Sequence, residues 1–301
     1  MATQLIKENG IVWLHATKPS PRDFEAIQRV FRFHPLIMEE IASPTRQPTI
    51  EDYRDHFLLI LHFPIIYPSS EMNTIAEVDF LVSKKSLVTV VYQDMPRLED
   101  FFKQYRTSFP EDARDPGLLL YRVIEYLLRG VIPDLEQVAD EIDRIEGAIF
   151  DRQDWELVEE ISNLRRDIVD LRRTMLPQQT ALDLLPHVAS RLFGKDVEPY
   201  FVDILKITRK IFGVLDSYKE TTDVLHETIQ SLLSNRISSI VSVLTIFSAI
   251  ILPINFLASI WGMNHQFLPL RDGPYDFWVV MGIMAAIVGG LLWIFRRKRW
   301  L

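Results

Sequence analysis

The residues of this chain that could do chemistry form a narrow polar stripe along an apolar segment near the C-terminus. Steps of alternating threes and fours meet Glu227, Ser231, Ser234, Ser238, Val241, Thr245, Ser248, Leu252, Asn255 and Ser259. Because an α-helix turns once every 3.6 residues, these positions share one side of a helix. We interpret the stripe as the lining of a pore, in which hydroxyl and amide oxygens would contact water.

The segment that carries this stripe is long and apolar enough to cross a bilayer. Ile240 to Ile260 contains no charged side chain, and about 20 apolar residues span the hydrocarbon core. A lone span would leave hydroxyls and an amide facing lipid, which costs several kcal/mol if they stay unsatisfied. We therefore expect the stripe to face other helices or water, and a symmetric bundle would place it around a central axis. The alternative is that the Ser and Thr residues only pack between helices or bond back to the helix backbone.

The residues after this helix carry a recognisable pattern. Gly262-Met263-Asn264 follows the first span directly, Phe277 to Phe295 forms a second span, and the chain ends in Arg296, Arg297, Lys298, Arg299, Trp300 and Leu301. With Pro253 in the preceding helix, this order resembles the CorA family of divalent-cation channels, whose signature is Gly-Met-Asn between two C-terminal spans. The resemblance extends through the preceding helix and, more loosely, along the whole chain.

The resemblance implies a homopentameric channel for Mg²⁺, with Co²⁺ or Ni²⁺ as further ions. Asn264 from each subunit would form an outer ring that recognises the hydrated ion, Gly262 would allow the sharp exit from the helix, and Met263 would pack beneath. Mg²⁺ releases its waters reluctantly, and a neutral amide oxygen accepts hydrogen bonds from those waters without trapping the ion. Gly262 also fits an ordinary helix C-cap.

Further pore positions are implied by the same resemblance. Leu252 and Asn255 match positions that line the family pore, and Val241 and Leu244 match an apolar constriction nearer the cytosol. Narrow rings of Leu and Val can stop ions by expelling water. Ile240 and Ile246 fall on faces that we expect to pack.

A regulatory carboxylate is also implied, because Tyr200-Phe201-Val202-Asp203 resembles the segment that supplies one in the family. Asp203 is therefore the candidate ligand for a regulatory Mg²⁺. Its usual acidic partner would fall in Tyr67 to Ser70, where no carboxylate stands before Glu71. Many family members also carry Met-Pro-Glu-Leu after the signature, whereas this chain has Leu268-Pro269-Leu270-Arg271, so an external acidic ring is missing or moved to Asp272 and Asp276.

Charge and composition narrow the class of protein. The 301 residues carry a formal net charge of −8 and contain no cysteine, which excludes disulfides, thiolate zinc sites and thiol nucleophiles. An acidic chain repels nucleic acid and attracts cations. We find no nucleophile with a base, no phosphate-binding glycine loop and no ligand cluster, so we do not expect an enzyme or an organic cofactor. His15, His34, His56 and His62 lack the spacing of a metal site and receive no function.

The distribution of basic residues predicts the orientation in the membrane. No apolar segment follows a basic start at Met1, so we expect no signal peptide. Arg236 precedes the first span and Arg296, Arg297, Lys298 and Arg299 follow the second, whereas the loop between them holds Arg271 against two aspartates. The positive-inside rule then places both termini in the cytosol of a multi-pass inner-membrane protein. The basic tail could ring the pore exit, or it could bind anionic lipid and fix the topology.

The first hundred residues read as an α/β domain. Ile11 to His15, His56 to Ile66, Thr74 to Val82 and Ser86 to Tyr92 are predicted strands, and Pro21 to Phe33 is a predicted helix. Alternation of Ala76, Val78, Phe80 and Val82 with Glu77 and Asp79 predicts one buried and one wetter face.

Helical periodicity begins at Pro116. Apolar residues repeat through Ile149 with a kink or break at Pro133, and Trp155 to about Leu176 forms the second arm of an antiparallel hairpin. Pro177 and Pro186 bound the segment that follows. A last helix opening at Pro199 carries the heptad seam Ile211, Leu215, Tyr218, Thr222, Leu225, Ile229 and Leu232.

We therefore predict an α+β membrane protein with a cytosolic α/β domain, a long helical stalk and two C-terminal transmembrane helices. The expected divisions are residues 1–115 for the α/β domain, 116–198 for the hairpin, 199–239 for the stalk, 240–261 for the first span, 262–276 for the external loop, 277–295 for the second span and 296–301 for the basic tail. Two other functions stay open: a zinc transporter of the ZntB type, and a membrane-anchored scaffold that conducts nothing.

Overall fold

The computed structural model describes residues 3–45, 47–65, 74–109, 115–150, 155–263, 273 and 275–298. The chain divides into two compact units, Met1–His226 and Glu227–Leu301. The strands are β1 (Thr3–Glu8), β2 (Ile11–Thr17), β3 (Thr49–Asp52), β4 (His56–Ile65), β5 (Thr74–Ser83) and β6 (Ser86–Val91). The helices are α1 (Pro21–Phe31), α2 (Pro35–Glu40), α3 (Pro96–Thr107), α4 (Pro116–Arg129), α5 (Val131–Ala148), α6 (Trp155–Met175), α7 (Gln179–Phe193), α8 (Glu198–Gly262) and α9 (Asp276–Arg297). The predicted α+β fold class is confirmed.

The first unit is built on one six-stranded sheet in the order β1-β2-β6-β5-β4-β3. β2 pairs with β6 in parallel, and the other neighbours are antiparallel. One face contributes Phe57, Phe63 and Phe80 to the larger core, and the other contributes Leu58 and Ile60 to a second core that includes residues of α1 and α2. Both faces of the central strands are therefore covered.

This coverage corrects the prediction that Glu77 and Asp79 lie on a wetter face, because both are buried. The Thr45 amide donates to Glu77 Oε1 at 2.8 Å, and His62 Nε2 lies 3.2 Å from Glu77 Oε2. The Tyr92 hydroxyl contacts Asp79. Burial raises the pKa of the Asp79 carboxyl well above its usual range, since water no longer solvates the charge. The period-two pattern places these acids on one face, but it does not reveal the second layer of helices.

Two prolines act differently from the prediction. The break between α4 and α5 lies at Gly130, and Pro133 stands in the first turn of α5, where a backbone donor has no intrahelical partner to lose. Pro186, predicted as a boundary, lies inside α7. Its neighbours Leu185 and Ala189 are fully buried in the larger core, so packing outweighs the lost hydrogen bond.

Most of the predicted stalk seam of α8 is buried. Ile211, Leu215, Thr222, Leu225 and Ile229 are buried, whereas Tyr218 and Leu232 are half-buried. The α5–α6 hairpin is also present, and it carries an ion pair between Arg144 and Glu160 at 2.6 Å. α6 in turn lies antiparallel to α8, since the pairs between them are Arg165 with Asp223 at 2.5 Å and Arg172 with Asp216 at 2.6 Å.

Candidate functional site

The second unit contains the two apolar helices. The end of α8 and all of α9 are long and apolar enough to cross a membrane, in agreement with the two predicted spans. α8 continues through Pro253 without interruption to Gly262. The loop residues 264–272 lie outside the described residues.

One side of α8 faces α9. Ile246 and Phe295 are each only 8 % exposed, which a side chain on a lone helix could not be. Between Ile240 and Gly262, the less exposed positions of α8 are Ser242, Ile246, Ala249, Ile250, Ile251, Pro253, Ile254, Leu257, Ile260 and Trp261, and those of α9 are Asp276, Val280, Met284, Ile287, Val288, Leu291 and Phe295. Apart from Ile251, these positions lie within about 80° of Ile246 on α8, and those of α9 recur at three or four residues, so the two helices pack along these stripes.

The polar stripe lies on the opposite side of α8. At about 100° per residue, its members between Val241 and Asn255 are rotated by about 100 to 180° from Ile246. Every predicted lining residue is exposed in the single chain: Glu227, Ser238, Val241, Leu244, Thr245, Ser248, Leu252 and Asn255. The hydroxyls and the amide are thus not used to pack α8 against its own second helix.

Ile240 and Ile246, which were both expected to pack, differ in their exposure to solvent. Ile246 is buried, whereas Ile240 is 60 % exposed. The rotation between them is about 120°, which takes Ile240 off the side that α9 covers. Within the single chain, Ile246 is therefore the packing residue.

The signature residues fall at the end of α8. Gly262 is the last helical residue and the Met263 amide donates to the Ile260 carbonyl at 3.2 Å. A Cβ at Gly262 would meet no described atom within 4 Å, and the φ angle of this glycine is not in the left-handed region. Met263 is 60 % exposed. Asn264 lies outside the described residues, so its predicted ring stays a prediction.

Asp276 is the first residue of α9, and its carboxylate is bound in the turn that precedes the helix. The Gly273 amide donates to its Oδ2 at 2.6 Å, and the Asp276 amide donates back to the Gly273 carbonyl at 3.3 Å. A Cβ on Gly273 would come within 2.7 Å of the Asp276 carboxylate, so a larger residue here would require the Asp276 side chain to move. The carboxylate that could have replaced the external acidic ring is thus engaged in a local turn. Asp272 is outside the described residues.

The basic tail begins at the end of α9. Arg296, Arg297 and Lys298 are exposed, and the Arg297 guanidinium lies 5.3 Å from the centre of the Trp293 ring. This cation–π contact is typical of a helix end at a membrane surface, where indole rings and basic groups sit together. Arg299 lies outside the described residues.

Asp203, the candidate regulatory ligand, belongs to a polar cluster of the first unit. The Tyr121 hydroxyl donates to Asp203 Oδ2 at 3.4 Å. Burial, reinforced by Glu125 and Asp203, raises the pKa of Tyr121 to about 12. Glu125 also pairs with Arg129 at 2.8 Å. Over the described part of the chain, no group of three His, Cys, Asp or Glu side chains could hold a metal ion.

Sequence reasoning missed Tyr121 and Glu125 as neighbours of Asp203. Both lie on α4, one helical turn apart, and Tyr121 is separated from Asp203 by 82 residues. Their spacing of four puts them on one helix face, which is the only signal that the sequence offers. Nothing in that spacing indicates which distant carboxylate the face meets.

Comparison with known proteins gives a consistent result. A family model described as "CorA-like Mg2+ transporter protein" matches residues 8–297. The cobalt/magnesium transport protein CorA of Thermotoga maritima is 27 % identical over 297 residues, covering 96 % of this chain and 83 % of that protein. The zinc transport protein ZntB of Pectobacterium carotovorum is 19 % identical over 296 residues, covering 96 % and 88 %. The solved structure of the CorA magnesium transporter from Methanocaldococcus jannaschii aligns with a TM-score of 0.83 at 22 % identity, covering 98 % of this chain and 93 % of that one.

Proposed function

Because this chain belongs to the family of CorA-like Mg²⁺ transporter proteins, we propose that it is a homopentameric channel that passes Mg²⁺ across the cytoplasmic membrane. Co²⁺ and Ni²⁺ are further candidate ions. Transport of divalent metal ions follows from the family, and the choice of ion, the number of subunits and the residues of the pathway are the proposal.

One observation supports the pathway above all others. The polar stripe of α8 faces away from α9 between Val241 and Asn255, and its functional groups are hydroxyls, an amide and the Glu227 carboxylate rather than imidazoles or thiols. Oxygen ligands suit hard cations such as Mg²⁺. A bundle of identical subunits that brought these stripes together would surround a hydrated ion with oxygen atoms, while α9 would separate α8 from lipid.

The gate in this proposal is the apolar pair Val241 and Leu244. Both are exposed in the single chain, at rotations of about 140 and 160° from Ile246, so both would face an axis that the polar stripe faces. Rings of these side chains would expel water when narrow and admit it when wide. Asn264, with Gly262 and Met263 before it, would form the selectivity ring at the outer end.

Zinc is the second candidate ion, because the chain is also similar to a zinc transport protein. Zn²⁺ in proteins is usually bound by sulfur and nitrogen as well as oxygen. The chain has no cysteine, and the polar stripe contains no histidine. The donor set of the proposed pathway therefore favours Mg²⁺ over Zn²⁺.

Asp203 is proposed as the site of regulation by cytosolic Mg²⁺. A carboxylate that binds the ion in the closed state alone would bias the channel toward closure as Mg²⁺ rises. In this proposal, both chain termini lie in the cytosol, on the same side of the membrane as Asp203. The basic tail at Arg296, Arg297, Lys298 and Arg299 would contact anionic headgroups there or ring the pore exit.

Flux through purified protein tests the proposal. The full chain is reconstituted into liposomes that contain no other protein, and uptake of Mg²⁺, Co²⁺, Ni²⁺ and Zn²⁺ is measured separately. Rapid Mg²⁺ uptake with little Zn²⁺ uptake is expected. Faster uptake of Zn²⁺ than of Mg²⁺ would show that the protein is a zinc transporter. Absence of uptake for all four ions would favour a membrane-anchored scaffold that conducts nothing.

A further inference from the structure

A chain of polar contacts in the first unit links the end of α2 to the sheet. The Tyr92 hydroxyl, directly after β6, lies 2.8 Å from the carbonyl oxygen of Ile41 and also contacts Oδ2 of Asp79 in β5. Ile41 is the C-cap of α2, so no amide within the helix can satisfy its carbonyl. Ile41 and Asp79 are fully buried and Tyr92 is half-buried. Tyr92 is therefore the connection between the end of α2 and the Asp79 carboxyl.

The number of hydrogens in this chain indicates the ionisation state of Asp79. A phenol carries one hydrogen, so Tyr92 can satisfy Ile41 or Asp79 but not both. If Asp79 is ionised, Tyr92 must donate to it, and the Ile41 carbonyl loses its donor. If Asp79 is protonated at Oδ2, the acid donates to the Tyr92 oxygen and Tyr92 donates to Ile41. Both contacts are hydrogen bonds only in the protonated form.

The surroundings of Asp79 also favour the protonated form. Its other oxygen, Oδ1, is buried and makes no hydrogen bond to any described residue, whereas an ionised carboxylate needs donors at both oxygens. Burial, together with Glu77 of the same strand and Glu40 of α2, raises the pKa of Asp79 well above its usual range. Two further groups lie next to these acids, since His62 Nε2 of β4 is 3.2 Å from Glu77 and Glu51 of β3 is hydrogen-bonded to Glu40.

A cavity of about 720 Å³ borders this cluster and connects it to solvent. Its charged and titratable lining residues are His62, Glu77, Tyr92, Asp170 and Arg173. Asp79 lies behind Tyr92, so a proton that leaves Asp79 has a short route to water. The cluster can therefore exchange a proton with the solvent while the sheet stays folded.

We propose that Asp79 carries a proton in the folded protein and that this proton holds the end of α2 against the sheet, which makes α2 a proton-sensitive latch over the second core. When the proton leaves, Tyr92 turns its hydrogen toward the new carboxylate and the Ile41 carbonyl loses its partner. The buried negative charge also repels Glu40 of α2. Both effects loosen α2. The inference does not depend on which ion the protein carries.

The sign of the pH effect follows from this proton. Once α2 opens and water reaches Asp79, its pKa returns to about 3.9. At neutral pH the open form has therefore lost the proton that the closed form holds. The equilibrium constant for opening of α2 should rise about tenfold for each unit of pH, and it should level off once the pH exceeds the pKa of Asp79 in the closed form.

Hydrogen exchange of the α2 amides in the full chain tests the latch from about pH 6 to 9, above the range in which ordinary carboxyls titrate. Each rate is divided by the intrinsic exchange rate of the same amide, which removes the chemical effect of pH. Asp79→Asn gives Tyr92 a permanent donor, so α2 should stay closed and show no such rise. Glu39→Gln removes an exposed carboxylate from the same helix and is the matched control, which should keep the wild-type rise. His62 also titrates near this range, but it is present in all of these proteins.

Infrared spectra at neutral pH give a second measurement. The wild type should show the carbonyl band of a protonated carboxylic acid, and Asp79→Asn should lack it. The inference is overturned if the wild type lacks this band, or if opening of α2 in Asp79→Asn depends on pH as it does in the wild type. Loss of the pH dependence in Glu40→Gln but not in Asp79→Asn would place the proton on Glu40 instead. Failure of Asp79→Asn to fold would also contradict the inference, because the amide supplies the donor that the proton is proposed to supply.

Discussion

Tyr121 on α4 and Asp203 on α8 are joined by a hydrogen bond, with the phenol oxygen 3.4 Å from Asp203 Oδ2. Burial, together with Glu125 and Asp203, raises the pKa of this phenol, so Tyr121 keeps its proton at physiological pH and stays a donor. A metal ion that uses Asp203 as a ligand would have to compete with this bond or bind the other carboxylate oxygen.

The first prediction concerns this pair. Asp203→Ala should keep the channel open at Mg²⁺ concentrations that close the wild type, because the closed state would lose a carboxylate ligand. Tyr121→Phe should shift inhibition to lower Mg²⁺, since a competing donor is removed. Inhibition of uptake is measured as a function of Mg²⁺ on the side of the soluble unit. Identical inhibition curves for the wild type and both variants would mean that the contact between Tyr121 and Asp203 has only a local structural role.

The second prediction concerns the outer end of the pathway. Asn264→Ala should abolish selective divalent flux while leaving the oligomer intact, because it removes the amide that would recognise water-bound ions. Uptake and size-exclusion profiles are measured on the same preparation. Asn264→Gln, which keeps the amide, is the control and should retain part of the selectivity. Undiminished Mg²⁺ uptake by the alanine variant would refute the selectivity role.

The third prediction tests which side of α8 faces the pathway. Val241→Ser or Leu244→Asn should raise basal flux, because a polar ring holds water where an apolar ring of similar size expels it. Ile246→Ser should instead lower the stability or assembly of the protein, since Ile246 is buried against α9, and should not increase conductance. Flux at rest and thermal stability in detergent are compared. A leaky Ile246→Ser beside a silent Val241→Ser would show that the pathway lies on the other side.

The fourth prediction is a pH dependence of stability in the first unit. Burial lowers the pKa of His15 from 6.5 to about 4, with its ring between the Thr89 and Thr17 hydroxyls at 2.9 and 3.2 Å. Between these two values the unfolded chain binds a proton that the folded chain does not, so the free energy of unfolding rises with pH there. His15 alone contributes a loss of about 3 kcal/mol as pH falls through this window.

The check is denaturation of the wild type and His15→Gln across pH 4 to 7. The difference between the two proteins isolates His15 from the carboxylates that titrate in the same range. The wild type should lose more stability on acidification than the variant. Parallel pH profiles would mean that His15 is not buried in its neutral form.

The two spans and the polar stripe could be predicted from the sequence because both are local patterns. A run without charge from Ile240 to Ile260 and a repeat of three and four residues need no knowledge of distant contacts. The strands β4, β5 and β6 and the seam at Ile211 and Leu215 were found for the same reason. The short strands β1 and β3 and the short helix α2 were missed, since a few residues carry too little periodicity.

Tertiary structure alone decided which surfaces these elements cover. The sequence places Glu77 and Asp79 on one face of β5, but only the second layer of helices makes that face dry. It places the hydroxyls on one side of α8, but only the burial of Ile246 and Phe295 puts α9 on the opposite side. Tyr121 meets Asp203 across 82 residues because α4 and α8 pack in the same core. The periodicity of a helix or strand shows which of its residues share a face. Which other element covers that face depends on packing between segments that are distant in the chain.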